Sequence, residues 1–239
     1  MSGDLNTLLD ACFATEVQIR KAGAVFSGGA QLADRPVLIV GTTDRTEIGA
    51  DEALALAGIV LEAVRADAGK APRDILFIVD NSGQRLAKRD ELMGNAGYLA
   101  HLSKVLHMAR RRGHRILALI HSLALSGGYM ATGMAATGSV ALGEAEIRVM
   151  RLDAMSRITR IPLSRLQDLV QKSAVFGPGV QNYHAIGALD EVWDHPSPAR
   201  LEQAFANLPD DGVDRRRQQG MERGGRVMAH DVTQRVIQA

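Results

Sequence analysis

The stretch "RILALIHSLALSGGYMATG" (residues 115–133) decides the fold, because it joins an apolar run to two adjacent glycines and a run of small residues. Its first seven residues are typical of a buried β-strand, and the segment that begins at Gly127-Gly128 predicts a helix. The glycine pair at this joint has two explanations. It lets the helix pack closely against the sheet, or it leaves backbone N–H groups accessible to an anionic oxygen.

The same alternation of strands and helices continues on both sides of this stretch. Further strands are predicted at residues 35–40, 74–80 and 139–142, and helices at residues 5–22, 49–69, 90–112, 127–137, 162–174 and 196–208. The fully apolar strand DILFIVD is expected in a parallel sheet that is covered on both faces. The fold class is therefore α/β, with helices layered on a sheet. The polar segment 214–231 is expected to lie at the periphery.

Length and composition indicate one globular domain. The 239 residues suffice to bury a full core, and the formal net charge of +1 gives no reason to expect nucleic-acid binding. The single Cys12 excludes an intrachain disulfide, and neither a signal peptide nor a membrane-spanning apolar run is recognisable. We expect one cytoplasmic domain over residues 1–239 without membrane contact, with its core at about 24–194 and a helical tail at 195–239.

The segment "VDNSGQR" (79–85) provides a second loop at the end of a buried strand. Ligands of open α/β sheets bind outside the carboxyl ends of the strands. We therefore expect amides from this loop and from Gly127 and Gly128 to converge on one carbonyl oxygen, where they would stabilise a developing oxyanion. Candidates to bind phosphate or carboxylate groups border the same loop: Arg85, Lys88 and Arg89.

Other catalytic chemistries have weaker support in the sequence. A serine nucleophile at Ser126 lacks the G-x-S-x-G pattern, and no histidine lies between His121 and His184. His121 itself, five residues before the serine at the strand end, is a possible neighbour. Ser126 is more simply a turn residue or a helix cap. Glu144 and Glu146 follow the fourth strand and could do acid–base work, although a charged turn is the commoner explanation.

Metal and nucleotide chemistry are not indicated either. The seven histidines and the lone cysteine show no metal-ligand spacing, and no P-loop or dinucleotide-binding pattern is present. The basic run Arg110-Arg111-Arg112 at a helix end is explained by compensation of the helix dipole.

Four stretches between residues 75 and 193 carry a resemblance to a known family: "ILFIVDNSGQRLAKRDELMG" (75–94), "RILALIHSLALSGGYMATG" (115–133), "DAMSRITRIPLSRLQDL" (153–169) and "YHAIGALDEVW" (183–193). Together they resemble the gamma subunit of biotin-independent malonate decarboxylase, in the carboxyltransferase branch of the crotonase superfamily. The S-G-G turn is shared across the superfamily. The "RITR" segment and the loop from Gln84-Arg85 to Glu91 are more specific to this subunit.

The resemblance implies a crotonase-like spiral of ββα units with a helical C-terminal elaboration. It further implies a heterodimer with a beta subunit of related fold, which works with acyl carrier protein and acyltransferase subunits. The implied substrate is a malonyl thioester on the carrier protein, whose prosthetic group is a phosphoribosyl-dephospho-coenzyme A derivative; the chain itself would bind no cofactor. The implied products are the acetyl thioester and carbon dioxide.

Residue roles follow from the same resemblance. The amides of Gly127 and Gly128 would stabilise the enolate, with Ser126 as their support. Contacts to the substrate are expected from the following residues: Ser82, Gly83, Gln84, Arg85 and Tyr129. Three alternatives stay open, namely a non-catalytic scaffold for the beta subunit, a biotin carboxyltransferase, and a crotonase-type hydratase or isomerase that uses Glu144.

Overall fold

The computed structural model describes residues 4–174, 177–209 and 213–239. Within these ranges the strands are β1 (Ile19–Ala22), β2 (Val25–Leu32), β3 (Arg35–Thr42), β4 (Thr46–Ile48), β5 (Asp74–Gln84), β6 (Ile116–Leu125), β7 (Gly138–Leu142), β8 (Glu146–Arg148) and β9 (Glu191–Trp193). The helices are α1 (Leu5–Cys12), α2 (Ala50–Ala66), α3 (Lys88–Leu92), α4 (Asn95–Arg111), α5 (Ser126–Ala131), α6 (Leu152–Thr159), α7 (Leu163–Lys172), α8 (Val180–Ala185), α9 (Pro198–Asn207), α10 (Arg216–Glu222) and α11 (Ala229–Gln238).

One mixed sheet runs through the described residues, in the order β1-β2-β3-β5-β6-β7-β9. The hairpins β1–β2 and β2–β3 are antiparallel, and the later strands pair in parallel. The two central strands, β5 and β6, extend past the main sheet and each gains a second partner there. The short β4 pairs with the far end of β5, and β8 pairs with the far end of β6. These extensions carry the two loops that the sequence singled out.

Both faces of the sheet are covered, which explains the continuous apolar runs in β5 and β6. On one face, α2 and α4 pack against each other and against the sheet. Small residues such as Ala53 and Ala57 line the buried stripe of α2 and permit this close approach. On the other face, α1 and α9 contribute Leu9 and Phe205 to a second core that includes Trp193.

The structure corrects several predicted boundaries. The helix predicted over residues 5–22 ends at Cys12, and the chain then forms the β1–β2 hairpin. The helix predicted over 90–112 is interrupted at Gly94, whose φ of +75° is left-handed. The strands β5 and β6 continue to Gln84 and Leu125 because β4 and β8 supply extra ladder partners.

The C-terminal tail is also more firmly attached than the peripheral position expected for it. Arg223, directly after α10, donates hydrogen bonds to the carbonyl oxygens of His184, Leu189 and Asp190 at 2.6–3.2 Å. The amide of Gln219 contacts the Asp190 carboxylate at 3.0 Å. Polar side chains therefore hold this helix on the core, a role that an apolar periodicity would not reveal.

Asp74 joins the starts of three neighbouring strands. Its buried carboxylate accepts hydrogen bonds from Arg35 on β3 at 2.9 Å and from Arg115 before β6 at 2.7 and 2.9 Å. Arg35 and Arg115 keep contact with solvent, so removal of Asp74 costs the charge-assisted hydrogen bonds that it accepts from them. This carboxylate is therefore a major polar contribution to the alignment of the central sheet.

We predict that Asp74→Ala lowers the free energy of unfolding by about 2–3 kcal/mol, the contribution expected of hydrogen bonds to a charged group, measured by urea denaturation. The matched control is Asp51→Ala, which removes an ion pair to Arg89 whose two side chains are both exposed. That control should leave the unfolding midpoint nearly unchanged, because exposed pairs contribute little. Equal midpoints for the two variants would contradict the role assigned to Asp74.

Candidate active site

The two loops named in the sequence analysis lie side by side at the carboxyl ends of β5 and β6. Asn81 of β5 pairs with Ala124 of β6, just beyond a shift in the register of the two strands. Gly83 has a left-handed φ of +103°, and a Cβ built on it would lie 3.2 Å from the Cβ of Ser126. The glycine thus permits a close approach of the two loops that a larger residue in this strained conformation would disturb.

The adjacent glycines at the start of α5 have different surroundings. A Cβ on the buried Gly128 would lie 2.4 Å from Oδ1 of Asn81 and 2.9 Å from the backbone of Gly83, so this glycine is required for packing. The three atoms nearest to a Cβ on Gly127 would all belong to the Gln84 side chain, with Oε1 at 2.7 Å. Packing therefore explains Gly128, whereas Gly127 presents its backbone to a movable side chain.

In each of the two loops, a backbone N–H group donates a hydrogen bond to the oxygen of a side-chain carboxamide. The N–H of Gly127 donates to Oε1 of Gln84 at 2.8 Å, and the N–H of Gly83 donates to Oδ1 of Asn81 at 3.3 Å. Asn81 is fully buried, whereas Gln84 is half-buried and lines a cavity. A substrate oxygen could therefore replace the Gln84 oxygen at Gly127 without unfolding the loop.

Ser126 supports the turn that presents these amides. Its φ of +46° is left-handed, which is uncommon for a residue other than glycine. Its hydroxyl donates a 2.5 Å hydrogen bond to the carbonyl oxygen of Val149, the residue that follows β8. The hydroxyl thus fastens α5 to the β8 segment, and this geometry agrees with a turn residue rather than a nucleophile.

The basic residues after the first loop bind carboxylates of the chain itself. Arg85 donates to Oε1 of Glu52 at 2.7 Å, lies 3.9 Å from Asp90 and contacts the carbonyl oxygen of Glu47. The hydrogen bond to Glu52 raises the pKa of Arg85 above its usual range. Arg85 therefore joins α2 to α3, and its expected contact to a substrate anion stays a prediction. Arg89 is likewise paired, with Asp51.

The remaining acidic and polar candidates have less specific surroundings. Ser82 is half-buried beside Gly83 near the end of β5. Glu144 lies in the exposed turn before β8, and Glu146 is the exposed first residue of β8, where it forms an ion pair with Arg148. The described residues contain no group of three or more histidine, cysteine or acidic side chains arranged to hold a metal ion. No described helix is long and apolar enough to cross a bilayer.

A cavity of about 520 Å³, called the loop cavity below, opens beside Gly127. Its lining includes Gln84, Leu86, Glu91, Leu99, Gly127 and Met130. The helix α5 therefore presents the Gly127 amide at the wall of a pocket large enough for a small acyl group. Neither Gly83 nor Gly128 is part of its lining, so the convergence of amides from both loops on one oxygen stays a prediction.

A larger cavity of about 1000 Å³ lies beneath the C-terminal tail and is called the tail cavity below. Tyr129, fully buried, contacts Tyr183 edge-on with ring centroids 5.8 Å apart. Its hydroxyl has no hydrogen-bond partner among the described residues, and burial raises its pKa well above the usual range. An unsatisfied buried hydroxyl costs about 1–3 kcal/mol. Tyr129 thus lines this cavity and not the loop cavity.

Several residues that shape these sites were missed by the sequence analysis. Asn81 is a polar residue that directly follows the apolar run DILFIVD, so its position at the end of a strand could have identified it as a candidate site residue. The carbonyl of Val149 has no sequence signal, because any residue supplies the same backbone oxygen. The tail residues Arg216, Arg217 and Arg226 line the tail cavity, but in sequence they belong to an unpatterned basic segment.

The chain is similar in sequence to a known carboxyltransferase and in fold to chains of solved malonate decarboxylase structures. The chain is 31% identical over 151 residues to the malonyl-S-ACP:biotin-protein carboxyltransferase MADD of Malonomonas rubra, a match that covers 61% of this chain and 52% of that protein. The chain thus spans about half the length of the curated relative it matches. Its fold is similar to a chain of the Pseudomonas malonate decarboxylase hetero-tetramer in complex with coenzyme A, with a TM-score of 0.81, 24% identity and coverage of 96% and 97%.

A second solved structure, the Pseudomonas malonate decarboxylase MdcD-MdcE hetero-dimer, contains a chain that is 25% identical with a TM-score of 0.76. That match covers 98% of this chain and 97% of the other. The crotonase-like α/β fold predicted from the sequence is confirmed by these likenesses. The family model described as "Malonate decarboxylase gamma subunit" matches residues 43–239. The chain therefore belongs to the malonate decarboxylase gamma subunit family.

Proposed function

We propose that this chain works with a beta subunit to decarboxylate a malonyl thioester carried on an acyl carrier protein. The observation that carries the proposal is the Gly127 N–H, which faces the side-chain oxygen of Gln84 at the wall of the loop cavity. Membership of the gamma subunit family supports the reaction. The hetero-dimeric Pseudomonas structure and the carrier-linked substrate in the name of the Malonomonas relative support the partners.

The reaction needs stabilisation of negative charge on the thioester oxygen. The bond between the α-carbon and the carboxylate breaks, carbon dioxide leaves, and the electron pair of that bond forms a thioester enolate. The α-carbon then takes up one proton to give the acetyl thioester. In this scheme the enolate oxygen replaces Oε1 of Gln84 at the Gly127 amide, and a preorganised amide of this kind stabilises the developing charge without reorganising.

Neighbouring residues would hold this donor in place. Gly128 keeps α5 close to Asn81, and the hydroxyl of Ser126 ties the turn to Val149. We propose that the chain contributes these backbone groups and no bound cofactor. The thioester would be supplied on the phosphoribosyl-dephospho-coenzyme A prosthetic group of the carrier protein. Ser82 and Gly83 are proposed as further substrate contacts because they form the facing loop.

Carboxyl transfer to a biotin-bearing protein is the second candidate function. The observation that favours it is the 31% identity to the Malonomonas carboxyltransferase, whose name includes biotin-protein as acceptor. Both reactions pass through the same enolate, so the Gly127 amide would serve either of them. The two functions differ in the fate of the carboxyl group.

We predict that Gly127→Val lowers the turnover of the complex by about 100-fold or more, as expected when an oxyanion donor is lost. The added side chain would fill the space now taken by Oε1 of Gln84 and exclude the substrate oxygen. The measurement is release of carbon dioxide from a malonyl thioester by the co-purified beta–gamma complex.

Gly58→Val is the matched control, since a Cβ at this position in α2 has no heavy atom within 4 Å. That control should retain turnover, and both variants should still co-elute with the beta subunit in size-exclusion chromatography. Normal turnover of the Gly127→Val complex would contradict the catalytic proposal and would favour a non-catalytic role for this chain as a scaffold for the beta subunit.

We predict that Gln84→Ala lowers the KM for the malonyl thioester by about 2- to 10-fold, because the substrate oxygen no longer competes with a hydrogen bond of ordinary strength. The measurement is steady-state kinetics with the intact complex, and Gln203→Ala on the exposed surface of α9 is the control. A raised KM would show that Gln84 instead binds the substrate, as the sequence analysis expected.

We predict that the complex releases carbon dioxide from radiolabelled malonyl thioester without transferring the label to a biotin-carrier protein. The label is placed in the free carboxyl group of the malonyl thioester, and chromatography at alkaline pH, where carboxybiotin is stable, separates the biotin protein from released carbon dioxide held as bicarbonate. The comparison reaction omits the biotin protein, and its rate should be the same. Label that depends on the biotin protein would establish carboxyl transfer in place of direct decarboxylation.

A further inference from the structure

The side-chain oxygen of Asn95 is a buried hydrogen-bond acceptor without a donor. Asn95 is the first residue of α4, and only 3% of its surface is exposed. Its Oδ1 atom has no hydrogen-bond partner among the described residues. The same residue belongs to the lining of the loop cavity, together with Gln84 and Gly127. A buried acceptor costs free energy until a donor reaches it. This cost is located beside the proposed oxyanion site.

The contacts of the amide nitrogen fix the orientation of the Asn95 carboxamide. Nδ2 donates to the carbonyl oxygen of Arg85 at 3.1 Å and to that of Ile48 at 3.3 Å. A flipped carboxamide would place Oδ1 against these two oxygens, an arrangement without any hydrogen bond. Oδ1 is therefore an acceptor with a fixed direction, and only a donor can satisfy it.

The backbone around Asn95 is held by several contacts. The N–H of Arg85 donates to the carbonyl oxygen of Ile48 at 2.9 Å. The buried carboxylate of Asp90 accepts from the N–H of Ala50, at the start of α2, at 3.0 Å. These contacts fasten the segment between β5 and α4 to β4 and α2. A donor for Oδ1 therefore has to come from a side chain and not from a shift of the backbone.

Gln84 carries the available donor. Among the described residues that line the loop cavity, the hydroxyl of Ser103 is already engaged, since it donates to the carbonyl oxygen of Leu99 at 3.0 Å. The Gln84 side chain accepts from Gly127 through Oε1, while its Nε2 forms no hydrogen bond with a described residue. Gln84 directly precedes Arg85, whose carbonyl oxygen contacts Asn95. A free N–H donor and an unsatisfied acceptor thus belong to the same cavity wall.

We propose that Asn95 is a positioning residue, whose Oδ1 accepts a hydrogen bond from Nε2 of Gln84 when a substrate oxygen displaces Gln84 from the Gly127 amide. The inference rests on the proposed function, which supplies that substrate oxygen. In the free chain Gln84 occupies the Gly127 amide, and Oδ1 of Asn95 stays unsatisfied. In the bound state the substrate satisfies Gly127, and Gln84 satisfies Asn95.

This exchange predicts which kinetic parameter depends on Asn95. The hydrogen bond between Gln84 and Asn95 offsets the loss of the one between Gln84 and Gly127, and it keeps the displaced amide away from the acyl group. The exchange occurs when substrate binds and persists in the transition state. It therefore stabilises both states equally and affects KM with little effect on kcat.

The test measures steady-state kinetics of the intact beta–gamma complex with a malonyl thioester. Asn95→Leu, which removes the acceptor, should raise KM by about 3- to 10-fold and change kcat by less than about twofold. In a Gln84→Ala background the same substitution should leave KM unchanged, because no amide is left to move. Asn207→Leu, at the exposed end of α9, is the matched control and should leave both parameters unchanged.

The double-variant comparison separates this role from a purely structural one. If Asn95 only held the carbonyl oxygens of Arg85 and Ile48, its substitution would change the kinetics to the same extent with and without Gln84. Equal changes in the two backgrounds would therefore overturn the proposal, as would an unchanged KM for Asn95→Leu alone. Urea denaturation and co-elution with the beta subunit check that each variant is folded.

A crystal structure of the unsubstituted complex with the acetyl thioester product gives a second test that needs no variant. We expect Nε2 of Gln84 within hydrogen-bond distance of Oδ1 of Asn95, at about 2.7–3.2 Å. Gln84 displaced into solvent, with Oδ1 still unsatisfied, would overturn this proposal and leave the proposed function standing. Gln84 retained on Gly127 beside a bound thioester would contradict both.

Discussion

The close contact between the ends of β5 and β6 is the constraint on which the rest of the site depends. Gly128 lies so near Asn81 and Gly83 that no side chain fits between them. This approach fixes the direction in which α5 leaves the sheet, and with it the position of the Gly127 amide. It also turns Tyr129 away from the loop cavity and into the tail cavity. One helical segment of six residues therefore borders two separate pockets.

The main sheet was predictable because its strands have a simple physical signature. A strand covered on both faces must be apolar along its length, and DILFIVD and RILALIH meet that requirement. The β1–β2 hairpin was not predictable on the same grounds. β1 is largely exposed, and β2 contains Gly28-Gly29, so neither shows a strong apolar run or a clear alternation. Their pairing is set by neighbours in the sheet and not by local propensity.

The candidate site was predictable in its location but not in its contacts. The S-G-G sequence indicated that backbone amides matter, yet it could not distinguish Gly127 from Gly128. Their difference arises from Asn81 and Gln84, which reach them from another strand. Arg85 shows a further limit, because a basic residue beside a loop suggested an anionic ligand. In the structure its guanidinium group also binds Glu52, 33 residues earlier in the chain, a contact that the local sequence does not indicate.

The attachment of α10 has a consequence for the edge of the sheet. β9 is the last strand in the sheet order, and an edge strand offers backbone groups that can pair with another molecule. Arg223 occupies the carbonyl oxygens of Leu189 and Asp190, which directly precede that strand. The tail therefore satisfies two carbonyl groups at the point where this edge strand begins, and these two groups are no longer available to accept hydrogen bonds from the backbone of another molecule.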